Sequence, residues 1–111
     1  MSTDTLNVES IDVEALKASA SKASALLKSL SHSDRLLLLC QLVGSGEACV
    51  RDLELSTGIK QPSLSQQLGV LRENGLVNTR REGRQIFYSI ASEDALAVME
   101  VLYQRFCATD Q

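Results

Sequence analysis

At Gly75 the chain changes its repeat, and that change limits what it can fold into more than any other feature. Before it, in "PSLSQQLGVLRENG", Leu64, Leu68 and Leu71 fall at i, i+4 and i+7. They form the single apolar face of a helix. Pro62 stands where a helix can begin without losing a hydrogen bond, and Gly75 is a suitable C-terminal stop. After Gly75, "LVNTRREGRQIFYSI" places β-branched and aromatic residues on both sides of Glu82-Gly83, the pattern of a hairpin. Upstream, "CVRDLELSTG" reads as a short helix with Val50, Leu53 and Leu55 turned inward, ended by Gly58 and joined by "GIKQ" to the next helix. Two helices linked by a short glycine-containing turn form a helix-turn-helix, and the hairpin behind them makes it winged.

The flanks supply further helices. From residue 13 to 30, Leu16, Ala20, Ala23, Leu27 and Leu30 recur at spacings of three and four, one stripe of an amphipathic helix. "LSHSD" follows, with Ser31 and Ser33 as candidate N-caps and Asp34 suited to a first turn. The second helix runs to about Val43 and stops at Gly44-Ser45-Gly46. Ser92, Glu93 and Asp94 form an N-cap and acidic first turn for a last helix through Leu96, Met99, Leu102 and Phe106 to about Cys107. The expected fold class is mainly α with a small β-hairpin. Residues 1 to 11 read as a flexible tail, 12 to 107 as the winged domain and 108 to 111 as a C-terminal tail. The first and last helices lie outside the small winged core. Their apolar stripes need cover, which points to a homodimer through those two helices.

With 111 residues, 44% hydrophobic and 23% charged, the chain has the size and composition of one globular domain. No basic start leads into an apolar run, and the longest apolar stretch, 36 to 40, is too short to cross a bilayer. The expectation is a cytoplasmic protein with no membrane contact, whose three cysteines are thiols. The net charge of −3 is unevenly spread. Residues 60 to 90 carry Lys60, Arg72, Arg80, Arg81 and Arg84 against Glu73 and Glu82, whereas residues 1 to 14 hold four acids and no base. A basic middle suits a phosphate-facing element. Burying the leucines of the helix at Pro62 turns Ser63, Gln66, Gln67 and Val70 outward. With Gln61 and Ser65, the amides and hydroxyls can meet base edges in a major groove. Arg80, Arg81 and Arg84 can reach the adjacent backbone or minor groove from the hairpin. The expected partner is double-stranded operator DNA. A dimer would set two reading helices about 34 Å apart and so favour a near-palindromic site.

"LLKSLSHSDRLLLLCQL", "QPSLSQQLGVLRENGLV" and "RREGRQIFYSI" resemble the ArsR/SmtB family of bacterial winged-helix repressors, over about residues 15 to 107. Within it the chain is most similar to the sulfide-responsive BigR and SqrR type, which carries one cysteine in the second helix and one near the end of the last. Cys40 and Cys107 stand at those two positions. The resemblance implies a dimeric repressor whose two sensor thiols are joined through sulfur by a persulfide or polysulfide inducer, with release of DNA. The chemistry is thiol exchange on a sulfane sulfur. Taken without the resemblance, Cys40 is a small core hydrophobe at the end of a run of leucines. Its likeness to a sensor depends on Cys107. The dipole at a helix C-terminus does not favour a thiolate at Cys107, and Arg105 stands close enough in sequence to offset this.

The departures narrow the choice. One kind of family metal sensor uses a "CVC" box; here the text is "ACVRDL", with Cys49 in the first position and Arg51 in the second. Arginine offers no soft ligand, so Cys49 reads as a bystander. A second kind binds zinc through histidines on the last helix. This chain's lone histidine, His32, precedes the second helix, and the last helix offers only Asp94 and Glu100. No cofactor or metal is expected. Serine also stands at position 33, where the family often has proline. Alternatives are a metal-, metalloid- or peroxide-responsive repressor of the same family, and, from another class, a protein-docking winged helix that does not touch DNA. A thiol enzyme is disfavoured, because no histidine is placed to activate a cysteine.

Overall fold

The computed structural model describes residues 12 to 107, so the two expected tails lie outside the described residues. In chain order the elements are α1 (Val13–Leu30), α2 (Ser33–Ser45), β1 (Ala48–Cys49), α3 (Val50–Thr57), α4 (Ser63–Glu73), β2 (Val77–Glu82), β3 (Gln85–Ile90) and α5 (Glu93–Leu102). A π-helical turn, Tyr103–Cys107, closes the described chain. The expected winged helix-turn-helix is present.

The core is built mostly from leucine. Leu38, Leu39 and Leu42 of α2 meet Leu53 of α3, Leu64, Leu68 and Leu71 of α4, and Met99 of α5, all essentially without solvent contact. The i, i+4, i+7 leucines of α4 therefore face inward as their spacing required. That packing sets the angle at which the opposite side of α4 is presented. Behind α4, Gly75 has φ of 73°, a left-handed conformation that glycine adopts without Cβ strain. Its N–H bonds the Arg72 carbonyl while Leu76 N–H bonds the Leu71 carbonyl, the paired closure that ends a helix. The chain thereby turns into β2 at the predicted residue.

β2 and β3 pair antiparallel from Val77↔Ile90 to Glu82↔Gln85, leaving Gly83-Arg84 as a two-residue turn. Gly83 has φ of 64°, and among the described residues no non-glycine residue has positive φ. Glycine alone at the first turn position is the primed turn that matches strand twist. The sheet has a third strand that the sequence did not announce. β1 adds to the outer edge of β3 through Ala48↔Tyr88 and Cys49↔Phe87, in the order β1-β3-β2. Two residues are too few for alternation to register as a period.

Four local expectations are corrected. Leu55 is 75% exposed, because α3 is a short helix whose inward side is taken by Leu53. His32, not a serine, caps α2: its Nδ1 accepts the Asp34 N–H at 3.1 Å. Ser31 Oγ instead donates to the Lys28 carbonyl at the end of α1. α2 continues through Gly44 to Ser45 and stops at Gly46, which has φ of 82°. In α1 only Leu26 and Leu30 reach the core; Leu16 and Leu27 remain more than half exposed, as does Val13.

Candidate DNA-reading surface and dithiol site

Pro62 occupies the N-cap position of α4 and Ser63 is its first helical residue. Proline has no side-chain acceptor, so the cap comes from its neighbour: Gln61 Oε1 accepts the Ser65 N–H at 3.0 Å. Gln61 is thus occupied as a helix cap. Ser65 and Gln66 are exposed, but Ser63, Gln67 and Val70 are half-buried. The outward line of α4 therefore runs through Ser65, Gln66 and Gly69, rotated slightly from the line expected.

Gln67 has a partner that sequence reasoning missed. Arg35 of α2 donates from Nη1 to Gln67 Oε1 at 3.0 Å and from Nε to the Ser29 carbonyl of α1 at 2.7 Å. Asn74, the C-cap of α4, also reaches α1, donating from Nδ2 to Ser29 Oγ at 3.1 Å. These bonds fasten the reading helix to both helices behind it. A charged residue in a leucine-rich helix was the available signal, but its target sits thirty-two residues away.

The wing arginines divide into two kinds. Arg80 is clamped by Glu47, with Nε to Oε2 and Nη2 to Oε1 both at 2.9 Å, and by Glu82 at 3.1 Å. Its guanidinium also lies 4.7 Å from the centre of the Phe87 ring opposite it in the sheet. Hydrogen bonds from Arg80 hold the Glu47 carboxyl below its ordinary pKa, and Glu47 followed by Glu82 raise that of Arg80. Two acids thus offset Arg80 locally. Arg81 and Arg84 are exposed, with Arg84 in the turn itself, and neither has an ion-pair partner among the described residues. The three arginines are not equivalent, as their clustering had suggested.

Cys40 and Cys107 come together. Cys40 is on α2 and half-buried; Cys107 ends the π-helical turn and is exposed. Their sulfurs are 3.4 Å apart although the residues are sixty-seven positions apart in sequence. Burial, then the hydrogen bond and charge of Cys107, push the Cys40 thiol up to about 11. Beside the two sulfurs opens a cleft of about 410 Å³ walled by Leu36, Leu37, Leu102 and Phe106. Arg105 is exposed in the same turn as Cys107. Cys49 is buried in β1, with the Gln85 amide 4.0 Å from its sulfur, and takes no part in the pair. Among the described residues no three histidine, cysteine or acidic side chains gather in a manner that could hold a metal.

Residues 32–79 match the bacterial regulatory protein arsR family. The biofilm growth-associated repressor of Agrobacterium fabrum is 54% identical over 86 residues, covering 78% of this chain and 73% of that protein. The chain belongs to the arsR family. It is a transcriptional repressor of the ArsR/BigR kind and not an enzyme. The crystal structure of the transcriptional repressor BigR from Xylella fastidiosa superposes with a TM-score of 0.78 at 48% identity, covering 89% of this chain and all of that one. Reduced HlyU from Vibrio cholerae gives 0.80 at 36%, covering 85% of this chain and 98% of that one. No described helix is long and apolar enough to cross a membrane.

Proposed function

We propose that the protein is a cytoplasmic homodimeric repressor that binds a near-palindromic operator when its thiols are reduced. It releases the DNA when a sulfane-sulfur donor bridges Cys40 and Cys107. The observation that carries this reading is the 3.4 Å separation of the two sulfurs. A direct disulfide needs an S–S bond of about 2.05 Å, so the sulfurs would have to close by more than ~1 Å. Two such bonds meeting at one inserted sulfur span roughly 3.3 Å at its bent angle. One added sulfur therefore joins the side chains nearly where they stand, which favours sulfane donors over peroxide.

The chemistry balances without another oxidant. For a donor R–S–S–S–R, the Cys107 thiolate attacks the central sulfur, an S–S bond breaks, and one RS⁻ leaves and takes a proton. Cys40, giving up its proton, attacks that same sulfur and expels the second RS⁻, which is protonated in turn. Two thiols and one trisulfide yield a one-sulfur bridge and two RSH, so the cysteines are oxidised and the donor is reduced. Exposed Cys107 attacks first because Cys40 is half-buried and poor in thiolate. The bridge ties α2 to the turn after α5. α2 also carries Arg35, which holds Gln67 of the reading helix, so strain at one end of α2 has a route to the DNA surface.

Dimerisation is supported by the exposed apolar residues of α1 (Val13, Leu16, Leu27) and α5 (Leu96, Val101). Contrary to the expectation that both helices lie outside the winged core, each sends one face into it (Leu26 and Leu30 of α1, Ala95 and Met99 of α5) and leaves these residues on its other face. On this reading exposed Ser65 and Gln66 of α4 meet base edges in the major groove, half-buried Ser63 and Arg35-bound Gln67 flank them, and Gln61 caps the helix, while Arg81 and Arg84 meet phosphates and Arg80 shapes the wing. The test is a titration of the reduced protein onto DNA from its own promoter region, with and without an organic trisulfide, paired with intact mass. The reading requires salt-sensitive binding, its loss on treatment, and a mass gain of one or more sulfurs linking Cys40 to Cys107. Unchanged responses in Cys40→Ser and Cys107→Ser proteins would falsify it. Release by arsenite or by peroxide, with indifference to trisulfide, would assign a different inducer.

A further inference from the structure

We propose that the cleft beside the dithiol is a binding site for the apolar substituent of the sulfur donor, so that the protein selects organic polysulfides with uncharged alkyl or alkenyl groups. This rests on the reading of Cys40 and Cys107 as sensor thiols. Both sulfurs form part of the cleft wall, so a molecule lodged there has its sulfur chain against the two nucleophiles. The remaining wall, among the described residues, is Leu36 and Leu37 from α2, Leu102 from α5 and Phe106 from the terminal turn, together with Ser33. Among the described residues no charged side chain lines it. A volume of about 410 Å³ lies within the range of small-ligand sites, which are mostly apolar with a few placed reactive or polar groups. A glutathione-type donor would bring carboxylates and an ammonium into this setting at the cost of their hydration.

Two details fit this occupant. Leu37 and Phe106 are 43% and 75% exposed, which leaves apolar surface uncovered at the sulfur pair rather than elsewhere on α2. The arrangement also keeps the order of attack, since the exposed Cys107 sits on the same turn as Phe106 and meets the incoming chain first. Alkyl groups held by Leu37 and Phe106 raise the local concentration of donor at Cys107. Each methylene buried on the way to the transition state raises the rate by roughly fourfold.

The experiment measures the rate of Cys40–Cys107 bridging in the full-length reduced protein by intact mass. The donors are dimethyl, diethyl and dipropyl trisulfide, plus glutathione trisulfide, each rate divided by that of the same donor with free N-acetylcysteine. With one alkyl group of the donor lodged, two added methylenes make the expected ratio climb about fifteenfold from dimethyl to dipropyl, and glutathione trisulfide falls below dimethyl. In Leu37→Glu, a partly exposed helical position whose folding is checked by circular dichroism, the climb disappears. A bridge that forms with every donor at a constant ratio overturns the cleft while leaving the sensor reading intact. Coverage of the cleft by a second copy gives the same flat series and equally overturns it. Absence of bridging with any donor removes the sensor reading itself, and this inference with it.

Discussion

The uneven state of the two thiols gives a test that needs no DNA. Burial is the largest influence on Cys40, followed by its hydrogen bond to Cys107 and the charge there, and together they move it from 9.0 to about 11. Each of these disfavours the thiolate, so at any pH below 9 Cys40 holds about a hundredfold less thiolate than an unperturbed thiol. Since thiolate is the reacting species and its intrinsic nucleophilicity rises with pKa, iodoacetamide should modify Cys40 roughly tenfold more slowly than a cysteine in an unstructured peptide. The rate should rise tenfold per pH unit and level only near 11. Peptide mass spectrometry after quenched labelling reads this site by site. Replacing Cys107 with alanine removes the second and third influences but not burial, so the midpoint should fall below 11 yet stay above 9. The linked effect on folding has a defined sign. A thiol whose pKa is higher folded than unfolded contributes stability below 9, which is lost as the pH rises through 11. Labelling of Cys40 at the peptide rate at pH 7.5, or a plateau at 9, would refute the argument that its thiolate is suppressed.

The other expectations concern the DNA surface and the scaffold behind it. Glu47→Gln removes the bidentate clamp on Arg80; the freed guanidinium should tighten DNA binding and steepen the dependence of log affinity on log salt by about one. An unchanged slope would show that Arg80 stays in place without Glu47. Arg84→Ala should weaken binding by a small amount that does not depend on sequence, seen as equal losses on operator and random duplex. Arg35→Met leaves the Gln67 amide and the Ser29 carbonyl without their donor, a loss of roughly 1–3 kcal/mol in urea unfolding; a stability within experimental error of the parent would show that water replaces the donor. Leu38→Ala opens space in a fully buried site and should cost about 2–5 kcal/mol by the same measurement.

How much of this could be read beforehand depended on how local each cause was. The α4 leucines, the Gly75 stop and the Gly83 turn were legible because each is decided within a few residues by helical spacing or by the freedom of glycine. The wing's location was legible for the same reason, but the behaviour of its arginines was not. Arg80 and Arg81 are adjacent letters, yet a strand sends them to opposite faces, and only Arg80 finds Glu47 thirty-three residues earlier. β1 was hidden because two residues carry no period; its existence is owed to the edge of β3. His32 shows a different limit. Serine is the better N-cap by propensity, and two serines flank the histidine, but Ser31 is held at the end of α1 by the Lys28 carbonyl. The chain enters α2 one residue later, where His32 Nδ1 meets the orphan N–H. The cysteines are the extreme case. Nothing local distinguishes Cys40 from a leucine substitute, and Cys107 lies beyond the last regular turn of α5. What joins them is the packing of α2 against α5 through Leu38, Leu39, Leu42 and Met99, a core whose residues contain no chemistry at all. The placement of two reactive sulfurs at contact distance is therefore a product of leucine packing, and a core substitution that rotates α5 against α2 would separate them without touching either cysteine.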